Sequence, residues 1–291
     1  MKTASDGDRC TDRLKQLVQG RLLLCIMGYH RMSGCVARSV AEGALVNMNR
    51  PLIAGAVLAL VMWLPVSAHA QGMEGTRSAS VFVGTGLGLS GNVIDEAVGT
   101  IDGTPAVFVE QAYSNHFSDA LRLRFTGGKG LDYNKELFAT FAYDKINATE
   151  RVTGSIGGYP LYTRFSNTHA FDLEGGLRYY FLPEGPTRTY VAGVAGVRFH
   201  RPISATIRVL ELGLTLSDLD YFDSSTLFIA GVDTGVSRDV SDHLALGAEL
   251  GLRFQPKLNA APVLEGTGLE GINDTGSRWA LPISLFATWR F

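Results

Sequence analysis

From Trp279 to the final residue, Phe291, every second side chain is apolar: Trp279, Leu281, Ile283, Leu285, Ala287, Trp289 and Phe291. Between them lie Ala280, Pro282, Ser284, Thr288 and Arg290, smaller or more polar, with Phe286 as the exception. A period of two sends alternate side chains to opposite faces of a strand, so this strand meets two different media. It is longer than the roughly 5–6 residues common in globular sheets. Its length suits a tilted strand crossing a bilayer, which takes about 9–11 residues.

Seven earlier segments read as strands of the same kind, at about 79–89, 116–126, 136–146, 170–182, 187–200, 226–237 and 244–255. Three of the connections are short: 127–135, Pro183 to Pro186, and Arg238 to His243. The other four, 91–115, 147–169, 201–225 and 256–277, are long, and short and long alternate along the chain. An up-and-down barrel with an even strand number produces this alternation, with both ends of the chain on the short-turn side. A water-soluble sandwich would also show many short strands. It accounts neither for the alternating loop lengths nor for outer faces that are apolar on nearly every strand.

The terminal ATWRF resembles the C-terminal assembly signal of bacterial outer-membrane β-barrels, and residues 71–291 together resemble the small eight-stranded proteins of the OmpA/OmpX type. That resemblance implies an all-β fold: a transmembrane antiparallel up-and-down barrel of eight strands, with short periplasmic turns and long extracellular loops. It also implies outer-membrane lipid and lipopolysaccharide as surroundings. Trp289 and Phe291 would be read by the barrel-assembly machinery, and the folded protein would be a monomer. No motif singles out a porin-like or other subfamily.

The N-terminal part reads differently. Residues 1–47 are basic, lack a clear period and hold all three cysteines, Cys10, Cys25 and Cys35; they are expected to be a non-native upstream extension or an unstructured leader. Residues 48–70 follow the pattern of a secretory signal peptide: Arg50, an apolar run from Leu52 to Leu64, and small residues at Ala68 and Ala70. Cleavage is expected before Gln71, leaving a chain without thiol chemistry. The net charge of −2 supplies no basic surface for nucleic acid.

Eight strands enclose room for side chains rather than a pore. Strand parity places Arg122, Arg124, Asp144, Asp172, Glu174, Arg178, Asp233, Glu249 and Arg253 inside, with Arg290 inward near the periplasmic rim. Isolated charges there would be costly, so these acids and arginines are expected to pair. The main expectation is a salt-bridged plug; the alternative is a narrow path for protons, ions or small solutes. Gly84, Gly86, Gly88, Gly231, Gly235, Gly247 and Gly251 share the inward register and would make room for long arginines. The fifth strand admits two registers, one with Arg198 inside and one with Tyr190 in the periplasmic aromatic girdle.

Other motifs carry less. Gly84 to Gly88 lies within a strand and lacks the helix a nucleotide fingerprint needs, and Gly127-Gly128-Lys129 lacks the spacing of a phosphate loop and reads as a turn. His116 and Ser118 share a lumen-facing side of the second strand, as a base and nucleophile would. Certain eight-stranded barrels that deacylate lipid A use a similar pair, but Asp119 departs from their His-x-Ser-Asn. His116, His169 and His200 lie near extracellular strand ends, with His169 outward and His200 inward, so no shared metal and no cofactor is expected. In the loop at 201–225, the alternation from Ile203 to Leu216 suggests a protruding ribbon whose edges could pair with a partner strand. The leading expectation is a non-enzymatic barrel serving envelope integrity or surface interaction. The alternatives are a narrow transporter for small, even hydrophobic, solutes and a lipid A-modifying enzyme.

Overall fold

The computed structural model describes residues 73–101, 103–181 and 183–291. The extension at 1–47, the signal peptide at 48–70 and its cleavage residues Ala68 and Ala70 lie outside the described residues. Eight strands close into an antiparallel barrel: β1 (Arg77–Ser90), β6 (Phe117–Asp132), β7 (Lys135–Ala148), β10 (Thr168–Tyr180), β11 (Thr187–His200), β14 (Ser225–Asp239), β15 (Leu244–Gln255) and β16 (Arg278–Arg290). The order around the barrel is β1-β16-β15-β14-β11-β10-β7-β6, and β6 returns to β1 to close it. The eight segments expected from the sequence correspond to these eight strands. Closure leaves no free edge, the condition a sheet must meet to cross lipid.

Alternation divides the two faces. Leu121, Phe125, Leu137, Phe141, Leu173, Leu177 and Leu250 point outward and are about half exposed, whereas Arg122, Arg124, Asp172, Glu174 and Glu249 are buried inside. In water so broad an apolar surface would be a liability; in a bilayer it is the required solvent match.

Gly127-Gly128-Lys129, expected to be a turn, is instead part of β6, and the turn shrinks to Tyr133 and Asn134. Glycine carries no side chain, so the period-two signal fades while the ladder continues. The space explains the choice of residue. A Cβ on Gly128 would strike the Glu136 carboxylate and the Ser78 hydroxyl, and one on Gly130 would strike the Met73 carbonyl.

The long connections build a second body. β3 (Ala97–Ile101), β4 (Thr104–Phe108), β8 (Arg151–Ile156), β9 (Tyr159–Phe165), β12 (Ile203–Val209) and β13 (Leu214–Phe222) form one six-stranded sheet in the order β13-β12-β9-β8-β4-β3. Two further short strands, β2 (Asn92–Ile94) and β5 (Gln111–Ala112), pair beside a single helical turn, α1 (Tyr113–His116). The ribbon expected from Ile203 is present, and the first two loops contribute hairpins that the sequence did not announce. This cap has its own apolar core, which includes Val93, Phe108, Leu161, Phe165, Ile203, Tyr221 and Phe222. The fourth connection adds Leu258, Val263, Leu269 and Ile272 to it. Fully burying side chains of this kind contributes roughly 1.5–3 kcal/mol each relative to exposure. The loops are thereby held as a folded layer on the barrel mouth.

Candidate functional site

Inside the barrel the charged side chains form a stack of interlocking ion pairs. Nearest the short turns, Asp239 binds Arg188 at 3.0 Å and Arg290 at 2.5 Å. Met73 packs with Phe82, Tyr180, Tyr190 and Phe286 at this end, and its sulfur lies 3.5 Å from the Arg188 guanidinium.

One layer up, Arg178 donates to Glu136 at 2.6 Å, and the Tyr180 hydroxyl donates to the same carboxylate at 2.9 Å. Glu249 accepts from Arg124 and, at 2.6 Å, from the Tyr190 hydroxyl. The two guanidiniums also lie on aromatic faces, Arg124 at 3.8 Å from the Phe82 ring centre and Arg178 at 4.5 Å from that of Tyr190. An aromatic face adds attraction to a desolvated cation without adding another charge.

The upper layer is the densest. Arg122 reaches Asp144 at 2.8 Å, Asp172 at 2.9 Å and Glu174 at 3.2 Å. Arg198 donates to Asp172 at 2.7 Å and to Asp144. Arg253 binds Asp233 at 2.5 Å and Glu174 at 3.4 Å. Each acid in this layer therefore faces more than one donor or a bidentate one, the arrangement that offsets the cost of taking charges out of water.

Arg124 lies 3.9 Å from Asp233 and Arg178 4.0 Å from Glu249, so all nine lumen residues named from the sequence are in one connected network. Arg198, buried at 4% exposure, fixes the register of β11: Tyr190 faces the lumen at 1% exposure rather than the girdle. Sequence reasoning passes over Glu136, Arg188, Asp239, Tyr180 and Arg278. Glu136 shares its strand and parity with Asp144, a signal sufficient to find it. Asp239 falls in a stretch that reads as a turn, although it continues the parity of Asp233.

At the mouth, Arg278 is buried at 5% exposure, faces no carboxylate among the described residues, and lies 4.3 Å from the ring centre of Tyr113 in α1. That contact ties the cap to the barrel rim. His116 departs from the sequence reading. It sits in α1 rather than in a membrane strand, and is buried edge-on to Phe165 with ring centres 5.0 Å apart. It therefore belongs to the cap core and does not face the lumen. Burial pushes its pKa down to about 4, with partial relief from the Thr149 backbone. The side chains of Ser118 and Asp119 lie outside the described residues. His169 points outward against the Tyr143 hydroxyl at 2.6 Å, and His200 is buried inward. Among the described residues no cluster of His, Cys, Asp and Glu is arranged to hold a metal. Trp289 is outward and half exposed, and the Phe291 N–H donates to the Arg77 carbonyl at 2.9 Å, which joins the chain end to β1.

No family model and no curated protein matches the chain. Solved structures similar to it include Neisserial surface protein A, at 13% identity and a TM-score of 0.42, over 75% of this chain and 100% of that one. A major outer membrane protein from Thermus thermophilus matches at 16% identity and a TM-score of 0.41, over 74% of this chain and 99% of that one. OprG from Pseudomonas aeruginosa matches at 12% identity and a TM-score of 0.37, over 78% and 99%. The fold rests on the topology itself: closed, antiparallel, apolar outside and charged within, this chain is an eight-stranded up-and-down β-barrel built to cross a membrane.

Proposed function

We propose that the protein resides in the outer membrane, catalyses no reaction, and presents a rigid extracellular sheet for contact with surface molecules above a barrel closed to solutes. The cap carries this reading. Loops that only joined strands would not bury Phe108, Phe165, Tyr221 and Phe222 in a common core. The sheet leaves β3 and β13 as its two edges, and backbone groups on an edge strand can pair with an added strand. Asp218 and Asp220 on β13 place acids along one edge, and Asp218 adopts a left-handed backbone, φ 55°, that interrupts it. Such features limit promiscuous pairing, and because the Ala261 N–H already donates to the Tyr221 carbonyl at one end of β13, the Leu214 end is the part left for an added strand. Below, the ion-pair stack supports an envelope-stabilising plug in preference to a path for solutes. Lipopolysaccharide surrounds the cap in this reading, and the terminal strand with Trp289 and Phe291 engages the assembly machinery.

The test replaces residues 203–222 by a short Gly-Ser turn in the full chain. Folding is followed by heat-modifiable gel mobility, and the retention of whole cells on lipopolysaccharide-coated and matrix-coated surfaces is measured. A folded barrel whose cells lose retention is the expected outcome. A folded barrel with unchanged retention on both surfaces contradicts the reading.

A further inference from the structure

The outer face of the barrel carries a furrow. Cross-strand partners Ala79 and Gly127, Gly127 and Ala139, Ala139 and Gly175, and Gly175 and Ala195 form one continuous outward row of small residues over five neighbouring strands. Large side chains flank it. Leu137 and Leu177 stand on the short-turn side, and Phe125, Phe141 and Leu173 on the other, all about half exposed. Residues two apart on a strand share a face and lie roughly 7 Å apart, so a row of glycine and alanine between two rows of bulky residues is a trough.

The trough deepens into a groove of about 820 Å³ between β1, β6, β7 and β10, and Arg77 and Lys129 line the same groove at its short-turn end. Arg77 and Lys129 are direct cross-strand partners, and both are exposed. Like charges placed opposite each other destabilise a sheet. Among the described residues neither side chain has an ion pair or hydrogen bond to relieve this. The neighbouring acidic group is the terminal carboxylate of Phe291, one of whose oxygens accepts from the Arg77 backbone N–H at 3.2 Å. The nearby Lys135 is matched by Asp132 at 3.2 Å and does not compete for the same partner.

An apolar trough inside a membrane has hydrocarbon as its natural occupant, and two unmatched cations at its polar end select what the hydrocarbon is attached to. We propose that this groove binds an anionic glycerophospholipid of the leaflet at the short-turn end. Its phosphate lies between Arg77 and Lys129, and one acyl chain runs along Gly127, Ala139 and Gly175. The guanidinium fork and the ammonium suit phosphate oxygens, and basic rim pockets next to a membrane face attract anionic headgroups. A zwitterionic headgroup would bring an ammonium beside Arg77 and Lys129 and would gain less.

The small residues are open to test because two of them tolerate growth. A Cβ on Gly127 meets nothing within 4 Å, and one on Gly175 meets only the Phe138 carbonyl at 3.8 Å. Gly127→Leu therefore fills the trough without straining the sheet, and the double variant Arg77→Gln/Lys129→Gln removes the charges while leaving the trough.

The experiment is native mass spectrometry of the full protein released from micelles doped with equal amounts of phosphatidylglycerol and phosphatidylcholine, with folding checked by heat-modifiable mobility. The wild type should retain one phosphatidylglycerol at several-fold higher occupancy than phosphatidylcholine. The charge variant should lose that preference, and Gly127→Leu should lose the bound lipid although both cations remain. Equal retention of the two lipids by the wild type overturns the proposal. So does an undiminished preference in the charge variant. Undiminished binding in folded Gly127→Leu also overturns it, since the cations alone would then account for the signal.

Discussion

Arg253 clasps Asp233 with both terminal nitrogens, at 2.5 and 2.8 Å, across the seam between β14 and β15. The two are diagonal neighbours: Arg253 is paired with Gly231 and Asp233 with Gly251. A Cβ on Gly231 would press into the Arg253 side chain at 2.7 Å, so the glycines opposite are what allow the arginine to lie flat across the sheet.

Removing one member of this pair should cost more than removing both. Asp233→Ala leaves the buried Arg253 guanidinium with only its longer contact to Glu174, and breaking a buried pair costs about 3–5 kcal/mol. Asp233→Ala/Arg253→Met removes the charge along with its partner and should recover part of that loss. Urea unfolding of the refolded protein in lipid gives both values; additive losses would mean that the two residues are not coupled.

Glu249 and Leu250 are neighbours in the chain with opposite surroundings. Glu249→Ala takes away the acceptor of Arg124 and Tyr190, whereas Leu250→Arg puts a charge into lipid, a change that costs roughly 2–4 kcal/mol near the midplane. Neutralising Arg124 should rescue the first variant and leave the second unaltered. Rescue of both, or of neither, in the same unfolding assay would contradict the assigned faces.

The cap should weaken in acid through His116. Above pH ~6.5 its ring is neutral whether the cap is folded or not. Between that value and about 4 the unfolded cap takes up a proton that the folded one refuses, so stability falls as the pH is lowered, by roughly 3 kcal/mol in full. Hydrogen exchange of cap amides at pH 7 and pH 4.5 should show faster opening at the lower pH, and His116→Phe, placed against Phe165, should flatten the difference. A wild-type cap equally protected at both values would contradict the assignment.

Phe291 and Leu210 are both exposed apolar residues, at 74% and 60%, one at the end of the terminal strand and the other at the tip of the cap. Exposure alone predicts little effect of either change to Ser. If the terminal residue is read during assembly, Phe291→Ser should lower the folded fraction in cells several-fold and Leu210→Ser should not. Heat-modifiable mobility of membrane fractions measures this directly, and equal folded fractions would remove the terminal residue from assembly.

The barrel is legible because lipid outside and charge inside enforce a period of two on most of the spanning strands. Parity then locates Arg122, Asp172, Glu249 and their partners without any three-dimensional information. It fails where the constraint lapses. Gly127, Gly128 and Gly130 carry no side chains to alternate, so a continuing strand looks like a turn. On β11, Val191, Ala192, Val194 and Ala195 are apolar on both faces, which leaves Arg198 and Tyr190 undecided. The cap is the least legible part. Its strands lie between a protein core and water, and its pairing joins β4 to β8 and β9 to β12, contacts between different loops that no local pattern encodes. His116 escapes sequence reasoning for the same reason, since its partner Phe165 belongs to another loop.

The central claim is a barrel filled by its own ion pairs, and single-channel recording in planar bilayers tests it most directly. The wild type should show no steady open conductance across the physiological voltage range, and Arg124→Ala/Glu249→Ala, which removes one of the two ion pairs of the middle layer together with its partner, should show measurable current. A wild type with a steady ohmic conductance would contradict the closed lumen and favour a path for solutes.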